Sequence, residues 1–270
     1  MKIFRSFIIS VVALAAAAIP AAAKVTMPAI FADNMVVQQQ TEMRIWGKAE
    51  PNSMVTIVPS WSNQAYRTTA DADGAWKTTV QTPAAGGPYE ITISDGEALT
   101  ISNVLSGELW LCSGQSNMEM PMKGFKNQPV EGAGEAIMDS RNPNIRLFTA
   151  KRVSSVEVKD DVVGSWKEAS PAAVRDFSAT AYFFGRRIER MLGVPVGLVV
   201  VSWGGSSCEA WMSEDMLAAF PETVIPRTEE DVKQPNRAPT VLFKGMLSPL
   251  VGLSMRGVIW YQGEDNVPRH

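Results

Sequence analysis

The chain has 270 residues, 46% of them hydrophobic and 20% charged, which leaves room for two domains at most and excludes disorder as its general state. A formal net charge of −3 excludes a nucleic-acid binder, which needs a basic face. One His and two Cys exclude zinc sites built from several such ligands, and neither a metal nor a cofactor is expected.

Lys2 and Arg5 precede an apolar run from Phe7 to Ile19 and the small residues Ala21, Ala22 and Ala23. The pattern predicts a secretory signal peptide over residues 1–23. A membrane anchor is not expected, because the run falls short of the ~20 residues that span a bilayer. The protein is therefore expected to be exported, periplasmic or extracellular, and loss of Lys2 and Arg5 would take its charge to −5 (−3 minus 2). Export permits disulfides. Cys112 and Cys208 are read as two free thiols, with a bridge between them left open.

Residues 24–105 read as strands. Met43–Trp46, Met54–Val58, Tyr66–Thr69, Trp76–Val80, Tyr89–Ile93 and Leu99–Val104 are short and alternating or β-branched. Turn signals separate them: Glu50-Pro51-Asn52, Asp73-Gly74, Gly86-Gly87-Pro88 and Asp95-Gly96. Strands at this spacing without helices predict a small all-β sandwich, a structural module with sugar binding as its other use.

Residues 106–270 change in style. Leu109–Cys112, Val196–Val201 and Gly257–Tyr261 are continuous apolar runs, as in parallel strands covered on both faces. Between the first two, the helical spacing of Ala181, Phe184, Ile188, Met191 and Leu192 predicts a helix over 178–192, with Gly193 as its C-terminal cap. Residues 125–175 read as loops and one short helix. Apolar strands alternating with helices predict an α/β domain.

Each apolar run leads into a polar cluster: Ser113-Gly114-Gln115-Ser116-Asn117-Met118, Ser202-Trp203-Gly204-Gly205-Ser206-Ser207 and Gln262-Gly263-Glu264-Asp265-Asn266. Ligands of open parallel sheets bind outside the carboxyl ends of the strands, so the three clusters are expected to form one site. Ser116 on a tight turn would expose its hydroxyl and its N–H. A Gly-Gly pair admits a ligand close to the backbone, and a carboxamide adds a side-chain donor. Together they make the donor set of an acyl-transfer site. Taken singly, each has a plain alternative: a helix cap, a loop glycine pair, a surface polar residue. Neither phosphate-loop pattern, GxxxxGK[ST] or GxGxxG, occurs in the clusters, nor does the GxSxG elbow.

Gly107 to Met118, with its GQSNM core, resembles the nucleophile block of sialate O-acetylesterases, carbohydrate esterases of the SGNH-hydrolase superfamily. Trp203-Gly204-Gly205-Ser206-Ser207 with Glu209-Ala210-Trp211 is similar to their second block, and Trp260 to Asn266 to their third. The resemblance implies an SGNH-hydrolase (flavodoxin-like) three-layer domain over 106–270 behind the β-sandwich. It implies removal of O-acetyl groups from sugars through an acyl-enzyme on Ser116. The Ser116 N–H, the Gly205 N–H and the Gln262 side chain would form the oxyanion hole, with Asn266 as second choice for the last donor. The family carries its catalytic Asp and His in a fourth block downstream. His270 matches no such block, so the domain is expected to be incomplete at its C-terminus and residues 24–270 alone inactive. An acetylesterase of plant polysaccharide would use the same blocks. A non-catalytic carbohydrate-binding protein is the reading of a different class, resting on the eight Trp.

Overall fold

The computed structural model describes residues 25–267. The expected signal peptide and His270 lie outside them. The fold is mixed α/β, and among the described residues it is built on one nine-stranded sheet and a two-stranded ribbon.

The first strands follow their alternation. β1 (Val36–Gln38) is short and buried. β2 (Glu42–Lys48) turns Met43 and Ile45 inward, and it pairs antiparallel with β5 (Ala75–Gln81) in the ribbon. β3 (Met54–Pro59) lies between β4 (Tyr66–Thr69) and β6 (Gly86–Ser94), again antiparallel. Ribbon and sheet share one core, in which Met43, Ile45, Trp76 and Val80 meet Val55, Ile57, Ile91 and Ile93.

β7 (Ala98–Gly114) differs from the sequence expectation. Leu99–Val104 and Leu109–Cys112 are not two strands but parts of one of 17 residues, roughly 55 Å long at 3.3 Å per residue. Its first part pairs antiparallel with β6, from Ala98 to Ser106. Its second part, from Glu108, pairs parallel with β10 (Val196–Ser202). The strand therefore runs unbroken across the boundary expected between residues 105 and 106. Gly107 sits where the pairing changes: a Cβ there would lie 2.0 Å from the Pro195 carbonyl oxygen. Sequence periodicity hid this continuity because β7 faces two different environments along its length.

The α/β part has the order β11-β7-β10-β8-β9. β11 (Gly257–Tyr261), β7, β10 and β8 (Asn142–Thr149) are parallel, and β9 (Trp166–Ala169) closes the far edge antiparallel to β8. Both β8 and β9 fall in the segment read as loops. β8 was hidden because its apolar run is interrupted by Arg146 and begins at Pro143. The Arg146 side chain is 2% exposed. It donates to the carbonyls of Pro143 (2.7 Å), Asn34 (3.3 Å) and Asn103 (3.4 Å) and pairs with Glu168 at 3.3 Å. Burial lowers its pKa, and Glu168 opposes that shift.

The helices are α1 (Ser116–Glu119), α2 (Ala133–Met138), α3 (Pro171–Arg175), α4 (Ala179–Leu192) and α5 (Glu214–Leu217). α4 matches its expectation. The Ser178 hydroxyl accepts from the Ala181 N–H, and Gly193 ends the helix at φ 64°. The apolar run of β10 has its expected cause. Val196, Leu198 and Val200 pack with Phe177, Ala181 and Tyr182 on one face, while Val199 and Val201 pack with Trp211, Leu242 and Met246 on the other. β11 is less covered, with Val258, Trp260 and Tyr261 exposed. No helix among the described residues is long and apolar enough to cross a membrane.

Arg146→Met keeps the bulk of the side chain but takes the guanidinium donor from three part-buried carbonyls and the ion pair from Glu168. It is expected to cost about 3 kcal/mol or more, read as a lowered urea midpoint. A midpoint equal to wild type would show that the guanidinium does not tie β8 to the preceding strands.

Candidate functional site

The three polar clusters begin level with one another. Gly114 is the register partner of both Ser202 and Tyr261, so β7, β10 and β11 end at the same height. β10 and β11 flank β7 on opposite sides, which makes this point the place where the strand order reverses.

Gly114 shapes the turn that follows β7. Its φ is 137°, and a Cβ would lie 2.0 Å from the Tyr261 carbonyl oxygen. Only glycine fits that approach. The next N–H, of Gln115, donates to the same carbonyl at 2.9 Å. The Gln115 side chain is buried, and its Oε1 accepts from the N–H groups of Gly263 and Asp265, both at 3.3 Å. The first cluster is thereby tied to the third, and Ser116 is placed at the start of α1.

α1 is held from below and from the side. Ser178 Oγ donates to the Met118 carbonyl at 2.6 Å, Thr180 Oγ1 to that of Asn117 at 2.8 Å, and Asn117 Nδ2 to Glu264 Oε1 at 2.8 Å. Glu119, at its last position, accepts from the Gly204 N–H and pairs with Arg152, whose guanidinium lies 5.7 Å from the centroid of the Trp203 ring. A Cβ on Gly204 would stand 2.9 Å from Glu119 Oε2 and 3.6 Å from the Ser116 Cβ, so the second cluster approaches the first closely at this glycine and a side chain there would displace the Glu119 carboxylate. Gly205 has φ 64°. The carbonyls of Gly204 and Gly205 accept from Asn236 Nδ2 at 3.0 and 2.8 Å. Among the described residues, neither the Ser116 N–H nor the Gly205 N–H has a hydrogen-bond acceptor.

Gln262 and Asn266 are bonded to each other. Gln262 Nε2 donates to the Ser206 carbonyl and to Asn266 Oδ1, both at 3.1 Å. Its Oε1 accepts from the Cys208 thiol. Asn266 directs its Nδ2 to both oxygens of Glu209, each at 3.0 Å. Both N–H groups of Gln262 thus have partners, and donation to an oxyanion requires it to share or exchange one of them.

Cys112 and Cys208 are free thiols. Burial pushes the Cys112 thiol far up. Burial, and then the Glu209 charge, push Cys208 up, against its hydrogen bond to Gln262. Neither is a thiolate at neutral pH, so neither competes with Ser116 as nucleophile. The described residues contain no imidazole and no cluster of three His, Cys, Asp or Glu suited to a metal.

Sequence reasoning missed Glu119, Arg152, Asn236 and Cys208 as parts of this site. Glu119 directly follows the GQSNM run and was within reach of a motif reading. Arg152 and Asn236 stand in segments without a local pattern, and only folding brings them in.

Residues 106–270 match a family model described as carbohydrate esterase, sialic acid-specific acetylesterase. The sialate O-acetylesterases of Mus musculus and Homo sapiens are each 28% identical to this chain, over 88% and 87% of it and 52% and 48% of their own lengths. The chain spans about half the length of the curated relatives it matches. A crystal structure of a carbohydrate acetylesterase from Xanthomonas citri superposes with a TM-score of 0.79 at 34% identity, covering 90% of this chain and 52% of that one.

Gly114→Ala must push back Tyr261 and adopt a strained φ, at a cost of about 2 kcal/mol or more. Thermal unfolding checks this. Wild-type stability in the variant would mean that the turn relaxes freely and that the close approach does not set the position of Ser116.

Proposed function

Because the chain belongs to the sialic acid-specific acetylesterase family of carbohydrate esterases, we propose that it carries the nucleophile of a serine esterase removing O-acetyl groups from sugars, O-acetylated sialic acids first among them. The observation that supports this reading is that β7, β10 and β11 end level with one another, which puts Ser116 and the Gly204-Gly205 turn at one end of the sheet, with no acceptor for the Ser116 or Gly205 N–H among the described residues.

The chemistry follows from that placement. Ser116 Oγ attacks the acetyl carbonyl, and the carbonyl oxygen becomes an oxyanion. The N–H groups of Ser116 and Gly205 point their positive ends at it, and Gln262 supplies a third donor by releasing the Ser206 carbonyl. Collapse expels the sugar hydroxyl and leaves an acetyl-enzyme, which water then hydrolyses. A serine hydroxyl needs an adjacent base to act as a nucleophile. No described residue supplies an imidazole, and the one His, His270, lies outside them.

The finer structural reading is proposed with it: an SGNH-hydrolase three-layer domain over 106–270, preceded by a small β-sandwich over 24–105. Its support is the parallel order β11-β7-β10-β8, and the core shared by the β2–β5 ribbon and the sheet facing it. Export to the periplasm or the exterior is proposed from the leader pattern of residues 1–23. Acetylated plant polysaccharide is the second reading; the Xanthomonas citri neighbour, a carbohydrate acetylesterase by its name, fits either substrate.

Acetate release by the full-length gene product, measured on O-acetylated sialic acid, acetylated xylan and an aryl acetate, tests the function and ranks the two substrates. Ser116→Ala is expected to lower turnover by about 10⁴-fold or more and to abolish labelling by a serine-directed phosphonate. Retained turnover would move the nucleophile elsewhere and end this reading.

Gln262→Ala is expected to lower kcat by about 10²–10³ with a smaller change in KM, because the donor acts on developing charge. Unchanged turnover, with a large loss in Asn266→Ala, would transfer the role to Asn266.

A further inference from the structure

We propose that Glu209 is a positioning residue that sets which way round the Gln262 amide stands, acting through Asn266. The inference rests on the reading of Gln262 as an oxyanion donor.

An amide side chain fits a site nearly equally well either way round, and only its partners decide between the two orientations. A carboxylate can only accept. With both Glu209 oxygens 3.0 Å from Asn266 Nδ2, the Asn266 nitrogen must face Glu209. Its Oδ1 then faces away, where it accepts from the Cys208 N–H at 3.0 Å and from Gln262 at 3.1 Å. Gln262 must therefore turn its nitrogen toward Asn266, which also points it at the Ser206 carbonyl. The Gln262 oxygen is left facing Cys208, whose thiol has to donate. Burial holds that thiol protonated at neutral pH, so the proton it donates is present.

The Glu209 charge thus gives one sense to three consecutive links, Glu209 to Asn266, Asn266 to Gln262 and Gln262 to Cys208, a sense that the Cys208 N–H and the Ser206 carbonyl share. Without it, Asn266 keeps only the Cys208 N–H, and Gln262 only the Ser206 carbonyl, as a main-chain partner of fixed sense; the amides then turn over more readily, and a turned Gln262 puts a carbonyl oxygen where the oxyanion needs an N–H. Trp211 steadies the same loop, its Nε1 donating to Ser206 Oγ at 2.8 Å.

The thiol gives a readout that does not depend on turnover. In the infrared, the S–H stretch of a donating thiol lies at lower wavenumber than that of a free one. Cys208→Ser assigns the band, separating it from that of Cys112. In the full-length protein the Cys208 band is expected at low wavenumber. Glu209→Gln, which keeps size and hydrogen bonding but removes the one-way constraint, is expected to move the band toward the free-thiol position. It is also expected to lower kcat about ten-fold with KM little changed. Asn266→Ala cuts the relay at its middle and should give the same band shift; it keeps the test decisive if Glu209→Gln does not fold.

A wild-type band at the free-thiol position would overturn the proposal, as would a band and a kcat both unmoved in Glu209→Gln. If the wild-type protein releases no acetate, the functional reading fails, and the infrared bands still decide the direction of the amide.

Discussion

Every strand of the larger sheet is hydrogen-bonded to Ala98–Gly114, directly or through its neighbours. This one strand is antiparallel to β6 from Ala98 to Ser106 and parallel to β1, β10 and β11 from Leu105 onward. The change is possible because Gly107 lets the backbone pass against Pro195, whose carbonyl accepts from the Glu108 N–H at 2.8 Å. A side chain at that point would separate the chains and break the ladder. The β-rich part and the α/β part are therefore joined by continuous backbone hydrogen bonding rather than by a linker.

The same strand positions the site. Because β10 and β11 pair with it on opposite edges and stop at the level of Gly114, three chain segments far apart in sequence leave the sheet together. Several of their backbone groups are paired by side chains from the other clusters or neighbouring segments: Gln115, Glu119, Asn236 and Gln262 bond the main chain of Gly263 and Asp265, of Gly204, of Gly204 and Gly205, and of Ser206. The N–H groups of Ser116 and Gly205 are among those without an acceptor in the described residues, and the proposed function assigns the oxyanion to them. The polar residues of the motifs act largely on one another's backbones, and that mutual bonding keeps a loop-built site in one arrangement.

Charge has a local part in this arrangement. Glu119 sits between the Gly204 N–H and Arg152, and Glu209 faces the Asn266 amide. A carboxylate bonded to an N–H of the main chain or of an amide forms a stronger hydrogen bond than a neutral acceptor and accepts in one sense only. Each of these two acids ties separate segments together: Glu119 joins α1 to the second cluster and to Arg152, and Glu209 joins the second cluster to the third.

The sequence by itself determined the elements whose cause is local. Periodicity and capping placed α4, because Ser178 and Gly193 act within one turn of its ends. Alternation placed the strands β2 to β6, and unbroken apolar runs marked β10 and β11 together with the polar clusters that follow them. Tertiary structure alone decided the rest. β8 became a strand because Arg146 found Asn34, Asn103 and Glu168 as partners, and no window around residue 146 shows them. The merging of two expected strands into β7 depended on partners at residues 86–94 and 196–202. Glu119 and Gly204 are 85 positions apart, and Asn266 and Glu209 are 57 apart. Hydrogen bonds of that span leave no periodic trace in the chain, since their geometry comes into being only when the sheet has brought its strand ends level.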